Sequence, residues 1–486
     1  MFRKLPSAMR ALIPLCLPLA FAATASAVIK VDLPVSKRYD VSKSVSVGKV
    51  TAVNAAQHVV EISTAQTLKG APAPQQYRVQ LTGKTADAIA NVKVGEPVVL
   101  LADPTLTVVH VADTWLRALP VPNAQPPIWR AIQIDPTGHR DFPGTTAALV
   151  RVMEELKAGK PTLLNAVDSK FFQGGAKEVA KLAVTKPTFL LAVDVNGDNK
   201  PDLLVGTADG VKLFLASGDG YADATEKWGL AGATGTAIAA GDVNASSKPA
   251  LLIGRTLYLN DGQKFSAVIP PMDLPEGVAI VAEALADVTG DGKPDAVVLL
   301  ADGRLLTFEN PGAPGKPWPK RPEKKIAAAS PPLAAAFGDW AGDGKLSVLI
   351  ATESTITLHP VTGDAPPADF DRLTGDPLSS VKPFAQGLKN PAFTVLDING
   401  DKRPDLLLTT TDGVASLVNR GFATFLCDPD AGADLTPEKG LPIPITTARA
   451  RTAINARHEA ADDLLILAND GRLFLIGNPQ GGASKK

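Results

Sequence analysis

From Ser44 to about Leu119 the apolar residues come in short runs, at 45–53, 58–62, 77–81, 98–101 and 108–111, divided by polar turns. Alternation of apolar and polar positions in several runs predicts strands with one buried and one wet face. Five such strands predict a small β-barrel of the OB type. Over 146–157 the period changes. Ala148, Leu149, Val152, Met153 and Leu156 fall on one helical face, with Thr145 placed to cap and Gly159 to stop. Trp115 and Trp129 flank the Pro-rich passage 120–127 and read as the seal of a domain junction. Residues 28–43 are polar and read as an extended linker.

Beyond about residue 162 one pattern recurs. An apolar run enters the nonamer Asp194-Val-Asn196-Gly-Asp198-Asn-Lys200-Pro-Asp202 and a second, Leu203-Leu204-Val205, leaves it. Related nonamers begin at Asp242, Asp287, Asp339 and Asp397, and a worn sixth copy places Asn455, Arg457 and Glu459 at positions 1, 3 and 5. The spacing of about 45–58 residues holds four short strands. In four copies an Asp-Gly pair follows, at 209–210, 302–303, 412–413 and 470–471, as a tight hairpin requires. Four antiparallel strands per repeat describe the blades of a β-propeller.

At these residues the region 162–480 resembles the FG-GAP or VCBS repeat family, the calcium-loop propellers also seen in integrin α-subunits. The resemblance implies a propeller with its loops on one rim, used in secreted adhesion, recognition or scaffold proteins. The expected fold class is all-β: a propeller of six blades, with seven as the alternative, preceded by an OB-like barrel (44–120) and a linker with an amphipathic helix (121–161). The last copy ends soon after its third strand, so its outer strand is expected from about 170–184. A seventh blade would have to hide in 125–187.

Composition narrows the function. The chain has 486 residues, 49 basic and 50 acidic, with a formal net charge of -1, which gives no electrostatic reason for a nucleic-acid partner. The N-terminus reads as a secretory leader: Arg3, Lys4 and Arg10, then the apolar stretch 11–23, then Ala25-Ser26-Ala27 as the cleavage site. Export to a periplasm or the outside is the expectation, with 481–486 as a tail and no membrane span. Without the leader only Cys427 remains, so stability must come from packing and metal rather than an internal disulfide.

The chemistry lies in the nonamers. Oxygen donors at positions 1, 3, 5 and 9, completed by the position-7 carbonyl, suit calcium, which takes six to eight hard oxygens. Three copies keep three carboxylates each, so the expected metal residues are Asp194, Asn196, Asp198, Lys200 and Asp202; Asp287, Thr289, Asp291, Lys293 and Asp295; and Asp397, Asn399, Asp401, Arg403 and Asp405. The copies at Asp242 and Asp339 lack donors and read as hydrogen-bonded turns, and Arg457 argues against a metal in the sixth. The five histidines are scattered, with no zinc spacing, nucleophile elbow or P-loop. The reading is a secreted, calcium-binding, non-catalytic recognition, adhesion or scaffold protein that presents its propeller surface to a protein or polysaccharide. The alternative is a carbohydrate-active lyase or hydrolase on the same scaffold. The sequence leaves the oligomeric state open.

Overall fold

A computed structural model describes residues 35–102, 107–159, 176–218, 220–268, 272–313, 316–326, 330–381, 384–428, 450–454 and 461–478. The leader, the C-terminal tail and the sixth-copy positions Asn455, Arg457 and Glu459 lie outside them. The front domain is a closed barrel of seven strands: β1 (Ser44–Asn54), β2 (Val59–Lys69), β3 (Gln76–Leu81), β4 (Pro97–Ala102), β5 (Thr107–Val111), β6 (Thr114–Val121) and β7 (Ile128–Ile134). Their order is β1-β2-β3-β7-β6-β5-β4, and β4 pairs back onto β1. The lumen is filled by Val60, Ile62, Tyr77, Val79, Val98, Leu100, Val109 and Leu116.

Two expectations change here. The barrel has seven strands instead of five and runs to residue 134, so Trp129, expected in the linker, sits in β7, while Trp115 lies in β6. The hairpin before β6 turns on Ala112 and Asp113, whose φ angles are 45° and 56°. That is the conformation a two-residue hairpin needs, but neither residue is Gly or Asn, so the turn leaves no mark in the sequence. Residues 35–41, expected as linker, form a helix, α1 (Val35–Val41). It is held by Arg38, whose guanidinium donates to Asp135 at 2.9 Å and Thr137 at 2.8 Å. After α2 (Pro136–Asp141) comes α3 (Thr146–Lys157), capped as expected by Thr145, whose Oγ1 accepts the Ala148 N–H at 3.1 Å. Its Leu149, Val152 and Met153 pack with Val45, Val99 and Trp115 on the outside of the barrel.

Six four-stranded antiparallel sheets follow. Blades 1 to 5 span 189–223, 238–268, 280–325, 334–369 and 392–428; blade 6 takes three strands from 450–476 and its outer strand, Ala176–Lys181, from the start of the domain. The register runs from Arg472 opposite Lys181 to Ile476 opposite Ala176. The seventh-blade alternative fails, because 128–134 belong to the barrel, 146–157 to α3 and 176–181 to blade 6.

The second strand of each blade explains the unbroken apolar runs. Successive side chains point to opposite faces, and both faces of a blade meet a neighbour. Leu203 packs toward blade 6 with Leu465, while Leu204 packs toward blade 2 with Leu251. The same pairing joins Leu252 to Val298, Val297 to Ile350, Leu349 to Leu406 and Leu407 to Leu464. Each of the six propeller cores is therefore shared by two blades, and the set closes the ring.

Barrel and propeller meet at blades 4 and 5. Phe422 of blade 5 joins the core around α3, with the Arg151 guanidinium 4.7 Å above its ring. Arg372, in the short helix α4 (Phe370–Thr374), reaches Asp113 at 2.6 Å, and the buried Arg420 reaches Asp141 at 3.4 Å. Burial raises the Asp141 carboxyl above its ordinary range despite this partner, and it lowers Arg420.

A buried carboxylate in the ring has little compensation. Glu283, in the first strand of blade 3, is buried and neither oxygen has a hydrogen-bond partner. Burial pushes its pKa well up, and the Gly254 N–H, which bonds the Ala237 carbonyl at 3.3 Å, offsets little of this. The folded chain thus holds a proton that the unfolded chain releases in the ordinary carboxylate range. The stability this brings is complete below that range and is lost as pH rises toward the folded value. Glu283→Gln is expected to add about 1–3 kcal/mol at neutral to alkaline pH and to flatten the dependence, read as urea midpoints across pH. A variant no more stable than the parent at pH 8 would contradict this.

Candidate metal loops

The nonamers form one rim structure repeated around the ring, and position 1 organises it. In blade 1, Asp194 Oδ1 accepts the Gly197 N–H at 2.7 Å and Oδ2 accepts that of Asn199 at 2.7 Å. Asn196 Oδ1 accepts the Asp198 N–H at 2.9 Å, and Asp198 Oδ1 accepts that of Lys200 at 2.9 Å. Blade 5 repeats this: Asp397 takes the Gly400 and Lys402 N–H groups at 2.7 and 2.8 Å, Asn399 that of Asp401 at 3.0 Å, and Asp401 that of Arg403 at 2.9 Å. In blade 3, Asp287 takes those of Gly290 and Gly292 at 2.6 and 2.8 Å. There the Thr289 hydroxyl donates to Asp287 at 3.3 Å.

Position 9 plays a different part. Asp202, Asp295 and Asp405 are fully buried. One oxygen of each accepts the N–H of position 2, from Val195 at 3.0 Å, Val288 at 3.0 Å and Ile398 at 2.8 Å. The other accepts an N–H at the end of the third strand, from Ala216 at 2.8 Å, Asn310 at 2.8 Å and Asn419 at 2.6 Å. This carboxylate staples the loop to its blade and keeps lone pairs for a further partner. The worn sixth copy retains the staple, since Asp463 accepts the Asn478 N–H at 2.8 Å. The incomplete loops keep the turn: Asp242 takes the Ser246 and Ser247 N–H groups at 2.9 and 2.7 Å, and Asp339 those of Asp343 and Gly344 at 3.1 and 2.8 Å.

Electrostatics separates three loops that look alike in sequence. In blade 5, burial first, with Asp401 and Asp397 adding repulsion, raises the Asp405 pKa to about 8. Asp202 is raised in the same way by burial and by its neighbours Asp198 and Asp194. In blade 3 the Gly292 N–H leads in lowering Asp287, and Lys293, 2.9 Å from Asp291, lowers that group. Burial and neighbouring carboxylates therefore weigh most on position 9 of the Asp397 loop, even with Arg403 3.7 Å from Asp401, and then on that of the Asp194 loop.

The donor set is hard oxygen: carboxylates at 1, 5 and 9, an amide or hydroxyl at 3, and the carbonyls of Lys200, Lys293 or Arg403. That chemistry fits calcium and disfavours softer metals. Among the described residues no three His, Cys, Asp or Glu side chains converge into a ready-made metal site. An ion would have to draw on the neutral donors as well.

A family model described as an FG-GAP-like repeat matches residues 194–253, from the first nonamer into the second strand of blade 2. Residues 194–253 are thus similar to an FG-GAP-like repeat, and they lie within a six-bladed propeller. No curated protein matches the chain in sequence. Among solved structures, BBS1N in a complex with ARL6DN is 14% identical over 64% of this chain and 97% of its own, with a TM-score of 0.40. A lectin of Agrocybe aegerita, whose structure concerns recognition of non-reducing terminal N-acetylglucosamine, is 16% identical over 62% of this chain and 82% of its own, with a TM-score of 0.41. At these scores neither bears on function. Among the described residues no helix is long and apolar enough to cross a membrane.

Residues absent from the sequence reading complete the rim. Asn260, Asn310, Asn419 and Asn478 lie within two residues of the ends of the third strands of blades 2, 3, 5 and 6, and all are buried. The first three head an Asn-x-Gly turn in which the Gly N–H donates to the Asn Oδ1, at 2.8 Å for Gly262, 2.9 Å for Gly312 and 2.8 Å for Gly421. That recurring Asn-x-Gly was the available signal.

Proposed function

We propose that the chain is an exported, calcium-stiffened, non-catalytic propeller that presents its rim or face to a protein or polysaccharide. The observation that supports this best is the crowding of Asp397, Asp401 and Asp405, whose mutual repulsion and burial a divalent cation would offset. Bound there, calcium supplies charge neutralisation and a link between the strands on either side of the loop. The chain's own part is to hold the loop in shape: position 1 gathers the backbone N–H groups, and position 9 ties the loop to its blade. The leader-like N-terminus supports export, into surroundings where sites of about 10⁻⁴ to 10⁻³ M are filled.

Titration calorimetry of the metal-stripped mature chain is expected to show calcium uptake, tightest at the Asp397 loop. Asp401→Asn should remove that site, and chelator should lower the melting temperature of the parent more than that of the variant. Absence of uptake at millimolar calcium would sink the proposal.

A further inference from the structure

Three of the loops are also gripped by the next blade. The carbonyl of position 2 accepts a hydrogen bond from an Asn side-chain amide across the blade boundary: Val195 O from Asn260 at 2.8 Å, Val243 O from Asn310 at 2.7 Å and Ile398 O from Asn478 at 2.6 Å. The direction of the first two amides is settled by their other end, because an Oδ1 that accepts a Gly N–H leaves Nδ2 as the donor. The position-2 N–H is already held by the position-9 carboxylate in blades 1 and 5. Both polar groups of that residue are thus engaged, one by its own blade and one by its neighbour.

Position 2 lies between donor positions 1 and 3, so a rotation of its peptide planes would swing both donors. The Asp397 loop is held most completely. Its Asp397 N–H donates to Asp462 Oδ2 at 2.8 Å and its carbonyl accepts the Asp462 N–H at 2.8 Å, both bonds running from blade 5 to blade 6. Blade 4 offers no such Asn to Val288, since Val361 and Thr362 stand at the corresponding place.

We propose that Asn260 and Asn478 are positioning residues for the cation loops of blades 1 and 5, so that a loop's affinity is set by the blade that follows it. This rests on the calcium reading above. Residues that orient ligands from outside the coordination shell typically change metal affinity by about 10–100-fold. Asn310 is the built-in control for those two loops, because it grips the Asp242 loop, whose positions 5 and 9 are Ser246 and Ala250, and its amide also reaches Pro294 O of blade 3 at 3.1 Å, so it touches neither the blade 1 nor the blade 5 loop.

The test compares Asn260→Ala, Asn478→Ala and Asn310→Ala in the full mature chain. Calorimetry with calcium is expected to show one site weakened about tenfold or more in each of the first two, with the blade 1 and blade 5 sites unchanged in the third. Hydrogen exchange in calcium-free buffer provides a readout that does not depend on metal. The amides of Gly400, Asp401 and Lys402 should exchange about tenfold faster in Asn478→Ala than in Asn310→Ala, as should those of Gly197, Asp198 and Asn199 in Asn260→Ala. Equal calcium titrations and equal loop protection in all three variants would overturn the proposal. A parent chain that takes up no calcium would instead refute the calcium reading, and the exchange comparison would still decide the positioning role.

Discussion

Arg420→Ala is expected to cost about 3–5 kcal/mol, because it takes from the buried Asp141 its leading cation and leaves it the weaker influence of Arg38. The two side chains are 7% and 12% exposed and meet at 3.4 Å where the barrel joins blade 5. Burial raises the acid and lowers the base even with the pair in place, so the attraction does not repay the desolvation of both groups. The apolar double replacement Arg420→Met with Asp141→Leu should therefore recover most of the loss. In a thermal scan the single variant should split the transition, with the barrel released from the propeller before the ring melts. A cost below about 1 kcal/mol would mean that water reaches this junction, with the pair worth no more than a surface one.

Asp405→Ala carries the second large effect, about 2–6 kcal/mol in chelator. Two buried N–H groups, those of Ile398 and Asn419, lose their acceptor together, at about 1–3 kcal/mol for each orphaned group. Asp405→Asn separates the staple from the charge. It keeps one oxygen for one N–H and removes the carboxyl whose ionisation, pushed up to about 8, would add charge beside Asp401 and Asp397. In chelator it should lose less than the alanine variant; in calcium it should lose more relative to the parent, since the carboxylate is then the better partner. Denaturant midpoints in calcium and in chelator give the comparison, and equal midpoints for Asp405→Ala and the parent in chelator would exclude the staple.

The propeller was legible because each blade carries the same loop between apolar runs, and repetition turns weak local signals into an architecture. The missing outer strand of the last copy pointed to closure by 170–184, and Ala176–Lys181 fills that place. The end of the barrel was hidden by a turn without Gly and by Pro120 within β6. Helix α1 has only seven residues, too few to show a period, and a tertiary ion pair to Asp135 holds it. At the rim the donors along one nonamer were visible, since they lie within nine residues of each other. The Asn grips were not, because donor and acceptor are 65, 67 and 80 residues apart and only the ring brings them together.

The outer strand of blade 6 has a consequence for biosynthesis. Ala176–Lys181 is among the first parts of the propeller to leave the ribosome, and its partner, Arg472–Ile476, is the last. Until then one edge of the nascent sheet system stands unpaired, a template for other strands. The loop closed at the end is long, but closure entropy grows only logarithmically with length, so delay rather than free energy is the hazard. The strand is suited to waiting: Lys177, Glu178 and Lys181 are charged and exposed, the guard that natural edge strands carry against premature pairing.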